Sequence, residues 1–200
     1  MDPDQNQDQP AAGGPATDAG IGHYVITGFP KYFQRQQKSQ WSWLAVAAMI
    51  GNYNNTGPLG KNNKVLPWSQ GDIMIRARGP GFETVDVSGA PELSMQVTMV
   101  YASLNTRNLN VAQSLPTIRQ QIRVNAPVVV GWGEQRAGDM YQPRYFVVYG
   151  YDGPNYWYVA DPSQTKASPR VPLPIPTKPR NGNPIITKVV YSRSPKLRMQ

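Results

Sequence analysis

Residues 36–50 read Gln-Gln-Lys-Ser-Gln-Trp-Ser-Trp-Leu-Ala-Val-Ala-Ala-Met-Ile, and this stretch decides how the chain folds. Its apolar residues recur at the spacing of one helical face, which predicts a helix from Ser42 to about Tyr53. The residues on that face are Leu44, Ala47, Ala48 and Ile50. Alanine side chains let neighbouring elements approach closely, so we expect this helix to be buried. Serine is a favoured N-cap, so the Ser42 hydroxyl is expected to accept a bond from a free helix amide.

A second informative stretch comes much later, at 144–152 and 156–162. Its two parts read Arg-Tyr-Phe-Val-Val-Tyr-Gly-Tyr-Asp and Tyr-Trp-Tyr-Val-Ala-Asp-Pro. Aromatic and β-branched residues predict strands at 145–151 and 156–160. The intervening Asp-Gly-Pro-Asn is a turn sequence, so the two strands should form a hairpin.

The remaining patterns place helices before strands. Predicted elements are an extended segment at 23–30, helices at 67–78 and 115–123, and strands at 128–132 and 185–191. The segment 92–104 fits a helix or a strand equally well, because its apolar residues include several β-branched ones. Helices first and antiparallel strands last predict an α+β fold.

Together the two stretches resemble motifs of the papain-like cysteine peptidases, in particular a small bacterial branch akin to staphopain-like and bacteriocin-leader peptidases. That branch reads Gln-x-x-Ser-(Asn/Gln)-Trp-Cys-Trp-x-Ala, then His-x-Val-Val-Val-x-Gly-Tyr-Asp and Tyr-x-x-x-Asp-Pro. The resemblance covers about residues 30–162. It implies an N-terminal helical half, carrying the nucleophile-type helix, packed on a C-terminal antiparallel β-sheet half. It aligns Gln36 with the oxyanion-hole glutamine, Ser42 with the catalytic cysteine, Arg144 with the catalytic histidine, and Asp161 with the orienting Asn/Asp.

The two aligned positions that carry the chemistry are changed. Papain-type catalysis needs a thiolate formed by a neighbouring imidazole, and the chain has no cysteine at all. Arg144 cannot act as a base because its guanidinium stays protonated. The single histidine, His23, would reach the site only if its segment folded back over it. An alignment shifted by one residue would place Tyr145 at the base position, and tyrosine is also a poor base near neutral pH.

These changes predict a pseudoenzyme without a catalytic residue, a cofactor or a metal site. An engineered Cys-to-Ser change is the alternative explanation for Ser42, but it would have left the histidine in place. We expect Arg144 and Asp161 to form an ion pair across the former active site. Such a pair can be bidentate and partly buried.

Composition divides the chain into three parts: 1–22, 23–162 and 163–200. The first holds four aspartates without Lys or Arg, which predicts a disordered acidic tail. The middle part is the expected papain-like domain. The last holds eight Lys/Arg, no acid and seven prolines, which predicts a basic arm with a final strand at 185–191 as its ordered element. Neither a signal peptide nor a membrane-spanning helix is recognisable, and the compartment stays open.

Three functions compete. The first is a noncatalytic papain-like subunit that binds a protein partner or a larger assembly through its tails and the former cleft. The second is a hydrolase that uses Ser42 with an unusual base. The third is an electrostatic binder of nucleic acid or anionic membrane through the basic arm, which salt would weaken steeply.

Overall fold

The helix predicted from residues 36–50 is present, and it organises the helical half. A computed structural model describes residues 22–98, 101–104, 111–134, 144–172 and 185–192. Its helices are α1 (Ser42–Tyr53), α2 (Gln70–Arg78), α3 (Pro91–Val97) and α4 (Val111–Arg123). Its strands are β1 (His23–Val25), β2 (Tyr101–Leu104), β3 (Val128–Glu134), β4 (Arg144–Asp152), β5 (Tyr156–Ala160), β6 (Ser168–Pro172) and β7 (Ile185–Ser192). Short 3-10 turns occupy Phe29–Tyr32, Lys61–Asn63 and Phe82–Thr84.

The strands form one antiparallel sheet of seven described strands, and this confirms the predicted α+β class. Its order is β2-β7-β3-β4-β5-β6, and β1 pairs with the end of β4. In the centre, β3 pairs with β4 from Val128 opposite Val148 to Trp132 opposite Arg144. The hairpin predicted around the 152–155 turn joins β4 to β5, with Asp152 opposite Tyr156. The helices come before most of the sheet in the chain, and α1 packs against β4.

Helix α1 is buried on all sides from Ser42 to Gly51. It packs against α2 and α3 as well as β4. Close approach explains its small residues: a Cβ at Gly51 would lie 2.6 Å from Cδ1 of the Trp68 ring. The Ser94 hydroxyl donates to the Trp43 carbonyl at 2.7 Å and ties α3 to α1. Because α1 is packed on all sides, the residues at its N-terminus are held in a fixed position.

Two predicted boundaries need correction. Helix α2 begins at Gln70 and not at residue 67, because Ser69 is its N-cap and accepts from the Asp72 amide at 3.0 Å. The segment expected to be extended over 23–30 is a strand only as far as Val25. Gly28 then adopts a left-handed φ of 79°, which starts a 3-10 turn. The ambiguous segment at 92–104 contains both structures, α3 followed by β2.

The predicted domain boundary at residue 162 is wrong. The arm at 163–200 supplies two strands to the sheet, with β6 beside β5 and β7 between β2 and β3. The strand predicted at 185–191 is thus confirmed, and it lies inside the sheet with a neighbour on each side. Its β-branched residues suit that position, and Val189 is fully buried. The predicted acidic tail lies outside the described residues, apart from residue 22.

Among the described residues, none of the helices combines the length and the apolar composition that crossing a membrane requires. The described ranges also contain no group of three or more His, Asp or Glu side chains placed to hold a metal ion.

Candidate functional site

A cleft of about 330 Å³ opens at the N-terminus of α1, where the helical half meets the start of β4. Its lining residues are polar, and they are Gln36, Ser39, Gln40, Ser42, Ser88, Arg144 and Ser163. Three of the four residues predicted from the sequence therefore line one cleft. The fourth, Asp161, adjoins it through Arg144. Positions more than a hundred residues apart in the chain meet because α1 packs against β4.

Ser42 is the first residue of α1, and only 7% of its surface is exposed. Its hydroxyl accepts a bond from the backbone N–H of Tyr145 at 3.3 Å. The predicted N-cap role is wrong, because Trp41 occupies the cap position and Ser42 is the first residue of the helix. The Ser42 hydroxyl instead ties the helix start to β4, next to Arg144.

Arg144 begins β4, and its side chain is 62% exposed. One of its terminal nitrogens, Nη2, donates to the Ser163 hydroxyl at 2.8 Å and lies 3.8 Å from Asp161 Oδ2. The predicted ion pair is therefore present, but it is neither bidentate nor buried. Asp161 follows β5 and also holds the local turn, since its Oδ1 accepts from the Ser163 backbone N–H at 2.9 Å.

The side-chain amide of Gln36 is occupied by its own loop. Its Nε2 donates to the Lys38 carbonyl at 3.0 Å and to the Ser39 carbonyl at 2.6 Å. A primary amide has two N–H donors, so these two bonds use both. The backbone N–H of Gln36 donates to the Pro162 carbonyl at 2.9 Å, which joins this loop to the end of β5. Gln36 thus builds the wall of the cleft and does not offer a donor to it.

Asp86 shapes the cleft, and the sequence analysis missed it. Its carboxylate accepts from the Ser39 hydroxyl at 2.7 Å and from the Gln40 backbone N–H at 2.9 Å. These bonds favour the ionised form, and the Ser39 hydroxyl contributes most to lowering the pKa of Asp86 below its ordinary value. Asp86 thereby fixes the turn that leads into α1. Its local sequence carries no signal for this role, because both partners are distant in the chain.

The two tryptophans of the 36–50 stretch hold the same neighbouring segment. The indole N–H of Trp41 donates to the Val85 carbonyl at 2.9 Å, and that of Trp43 donates to the Val87 carbonyl at 3.2 Å. A buried indole N–H needs a hydrogen-bond partner. The Trp-x-Trp pair was therefore the one signal in the sequence that another chain segment packs beside the start of α1. The segment runs past the cleft and places Ser88 on its wall.

His23 lies far from this cleft. It pairs with Asp152 at the opposite end of β4 from Arg144. The strand has nine residues, and the eight steps between its ends correspond to roughly 26 Å. His23 therefore does not supply an imidazole to Ser42.

Two larger hollows lie elsewhere, and both include Leu66 in their lining. One of about 420 Å³ is lined by residues that include Tyr32, Asn52 and Leu66, and one of about 500 Å³ by Pro58, Leu66 and Ile75 among others. Neither contains a residue predicted from the motifs. We place the candidate site at the smaller cleft because several elements deliver polar side chains to it.

A scan of protein-family models gives no match to this chain, and a search of curated proteins gives none. Among solved structures, the chain is similar to a crystal structure described as a candidate C39-like peptidase from Bacillus anthracis. The two share 14% sequence identity over 86% of this chain and 98% of that chain, with a TM-score of 0.49.

Proposed function

We propose that this chain is a papain-like pseudopeptidase, a noncatalytic domain that uses its former active-site cleft and its predicted acidic N-terminal tail to bind a partner. The observation that carries the proposal is Arg144. It stands at the position of the catalytic base in the resemblance, lines the same cleft as Ser42, and bonds Ser163. A permanently protonated guanidinium cannot remove a proton from a serine hydroxyl.

The other partners of Ser42 support the same proposal. Its hydroxyl is buried and already accepts a bond from Tyr145, which favours a structural role. Gln36 spends both amide hydrogens on loop carbonyls, so its side chain offers no donor to a developing oxyanion. His23 is at the wrong end of β4. The hydrolase hypothesis therefore lacks both a base and the expected oxyanion donor among the described residues.

The test of activity uses the full chain with unfolded proteins and peptide libraries, and mass spectrometry as the readout. We expect no cleavage, and the same result for Ser42→Ala. Cleavage by the wild-type protein that disappears in Ser42→Ala would overturn the proposal. Thr84→Ala is the control for hydroxyl removal. Among the described residues, the Thr84 hydroxyl bonds the Gly81 carbonyl alone, and Thr84 lines none of the three clefts.

A second test restores the missing groups. The wild-type chain has no cysteine, so Ser42→Cys introduces a single thiol at the helix start. We expect Ser42→Cys with Arg144→His to be alkylated by iodoacetamide faster near neutral pH than Ser42→Cys with Arg144→Gln, because an imidazole can take the thiol proton. Equal alkylation rates across that pH range would count against a papain-like arrangement of positions 42 and 144.

The partner is tested by chemical cross-linking of the full chain in its native host, followed by mass spectrometry. We expect cross-links from lysines beside the cleft, such as Lys38, to a specific protein. Association with nucleic acid or anionic vesicles that weakens steeply with salt would instead favour the electrostatic hypothesis.

A further inference from the structure

We infer that the cleft binds a carboxylate group, with the guanidinium of Arg144 as its main recognition element. The inference rests on the proposed function and specifies its ligand class. Arginine suits this role because its planar fork can give a carboxylate two parallel N–H bonds. Two sources supply such a group, the C-terminus of a peptide and a small free carboxylic acid.

The structure orients Arg144 without saturating it. Ser163 accepts one bond from Nη2, and Asp161 lies 3.8 Å away, beyond hydrogen-bond distance. In the described part of the chain, no acceptor takes the other guanidinium N–H groups. The side chain is 62% exposed at the cleft, so these donors are accessible to a ligand.

Two hydroxyl groups extend this set of donors. Ser42 Oγ accepts from Tyr145, and Ser163 Oγ accepts from Arg144 and from Gln164 Nε2 at 3.4 Å. A serine hydroxyl that accepts these bonds still has its own hydrogen to donate. No acceptor for either hydrogen lies among the described residues. Both serines and Arg144 line the same cleft, so their free hydrogens share one space with a positive charge.

The acidic side chains near the cleft compete only weakly for these hydrogen-bond donors. Asp86 already accepts from Ser39 and Gln40, and Asp161 Oδ1 accepts from the Ser163 amide. The remaining oxygen of Asp161 faces Arg144 at a long distance. A ligand carboxylate that reaches hydrogen-bond distance would therefore bind Arg144 more tightly than Asp161 does. The cleft volume of about 330 Å³ is at the lower end of the volume range of ligand pockets. This volume suits a small carboxylic acid or the last few residues of a peptide.

The test is an ¹⁵N NMR titration of the full chain, with the indole N–H signals of Trp41 and Trp43 as reporters beside the cleft. The probes are N-acetyl-trialanine with a free C-terminus, the same peptide with an amidated C-terminus, and sodium acetate. We expect the free acid to bind roughly tenfold more tightly than the amide, or better. Equal affinity for acid and amide, or no binding of either, would overturn the inference.

Variants identify the group responsible. Arg144→Gln should remove the preference for the acid, and Arg144→Lys should keep part of it. The same change in an exposed arginine that does not line the cleft, Arg78→Gln, should leave the preference intact. Asp161→Asn should tighten binding of the acid, because it removes the competing charge and keeps the acceptor for Ser163. An unchanged acid preference in Arg144→Gln would refute the role assigned here.

The two sources are separated by competition. Acetate that displaces the peptide acid identifies a small carboxylate as a sufficient ligand, and acetate that fails to do so identifies the peptide C-terminus. Mass spectrometry on the same samples separates the two proposals. Cleaved peptide contradicts the pseudopeptidase, whereas intact peptide without an acid preference contradicts only the carboxylate site.

Discussion

Neutralising Asp161 by Asp161→Asn should change the free energy of unfolding by less than about 1 kcal/mol. Two unit charges 3.8 Å apart attract by about 1 kcal/mol in water, and the exposed fractions of the Arg144 and Asp161 side chains are 62% and 30%. The asparagine keeps an oxygen to accept from the Ser163 amide, so only the charge is lost. Asp161→Ala removes that acceptor too and should cost about 1 kcal/mol more.

The measurement is urea unfolding followed by tryptophan fluorescence, in a double-mutant cycle with Arg144→Gln. The coupling energy between the two positions should fall within about 0.2–1 kcal/mol at low salt. It should vanish in 1 M NaCl, where the screening length falls to about 3 Å. Arg78→Gln, which changes an exposed arginine in the last turn of α2, is the control for loss of a surface charge.

The reasoning is refuted by a large coupling energy that salt does not reduce. A value near 3–5 kcal/mol would be typical of an ion pair enclosed in protein, contrary to the exposure of Arg144. A cost of Asp161→Asn equal to that of Asp161→Ala would show that the charge, and not the turn bond to Ser163, is what stabilises this corner.

Three further outcomes can be measured by thermal and urea unfolding. Gly89→Ala should destabilise by about 1–3 kcal/mol, because the new Cβ would lie 2.5 Å from the fully buried ring of Trp43. The control Gly71→Ala should be neutral or stabilising, because its Cβ would make an ordinary contact, 3.9 Å from Ser69 Oγ. Ser69→Ala should cost about 1 kcal/mol by removing the N-cap of α2, and a cost near zero would show that the cap bond is not formed. Because the pKa of Asp86 is lowered on folding, its contribution to stability is complete above the ordinary value of 3.8 and is lost as the pH falls through the lower folded value. Asp86→Asn should therefore weaken the fall in unfolding free energy at acid pH. An unchanged acid dependence of stability would contradict this prediction.

Local pattern was sufficient for most elements of the fold. The helix from Ser42 was predicted from its apolar face, and the hairpin of β4 and β5 from its strands and turn residues. The errors came where local pattern carries no information about pairing. The strand at 185–191 was predicted as the last element of a basic arm that could add to the sheet, and it lies inside the sheet, between β2 and β3. Its neighbours β2 and β3 are distant in the chain, so no spacing within the strand could reveal that place.

The candidate site was predictable only in part. The motif resemblance selected Gln36, Ser42 and Arg144, and all three line one cleft. It did not select Asp86, because a carboxylate in a loop gains its role from donors that are distant in sequence and close in space. It also could not tell which way the Gln36 amide points, since that depends on the path of its own loop.

By itself, the sequence determined which reactive groups the chain lacks. It excludes thiol catalysis because there is no cysteine, and it places a guanidinium where the resembled family has an imidazole. It also determined the helix and the hairpin, because periodicity and turn preferences act over a few residues. Only the tertiary structure decided that β4 holds Arg144 at one end and pairs with His23 at the other, so that the cleft receives a cation and no imidazole from these residues. The same packing set the exposure of Arg144 and the donors it leaves unused, because burial and hydrogen bonding depend on neighbours that the chain brings together only on folding.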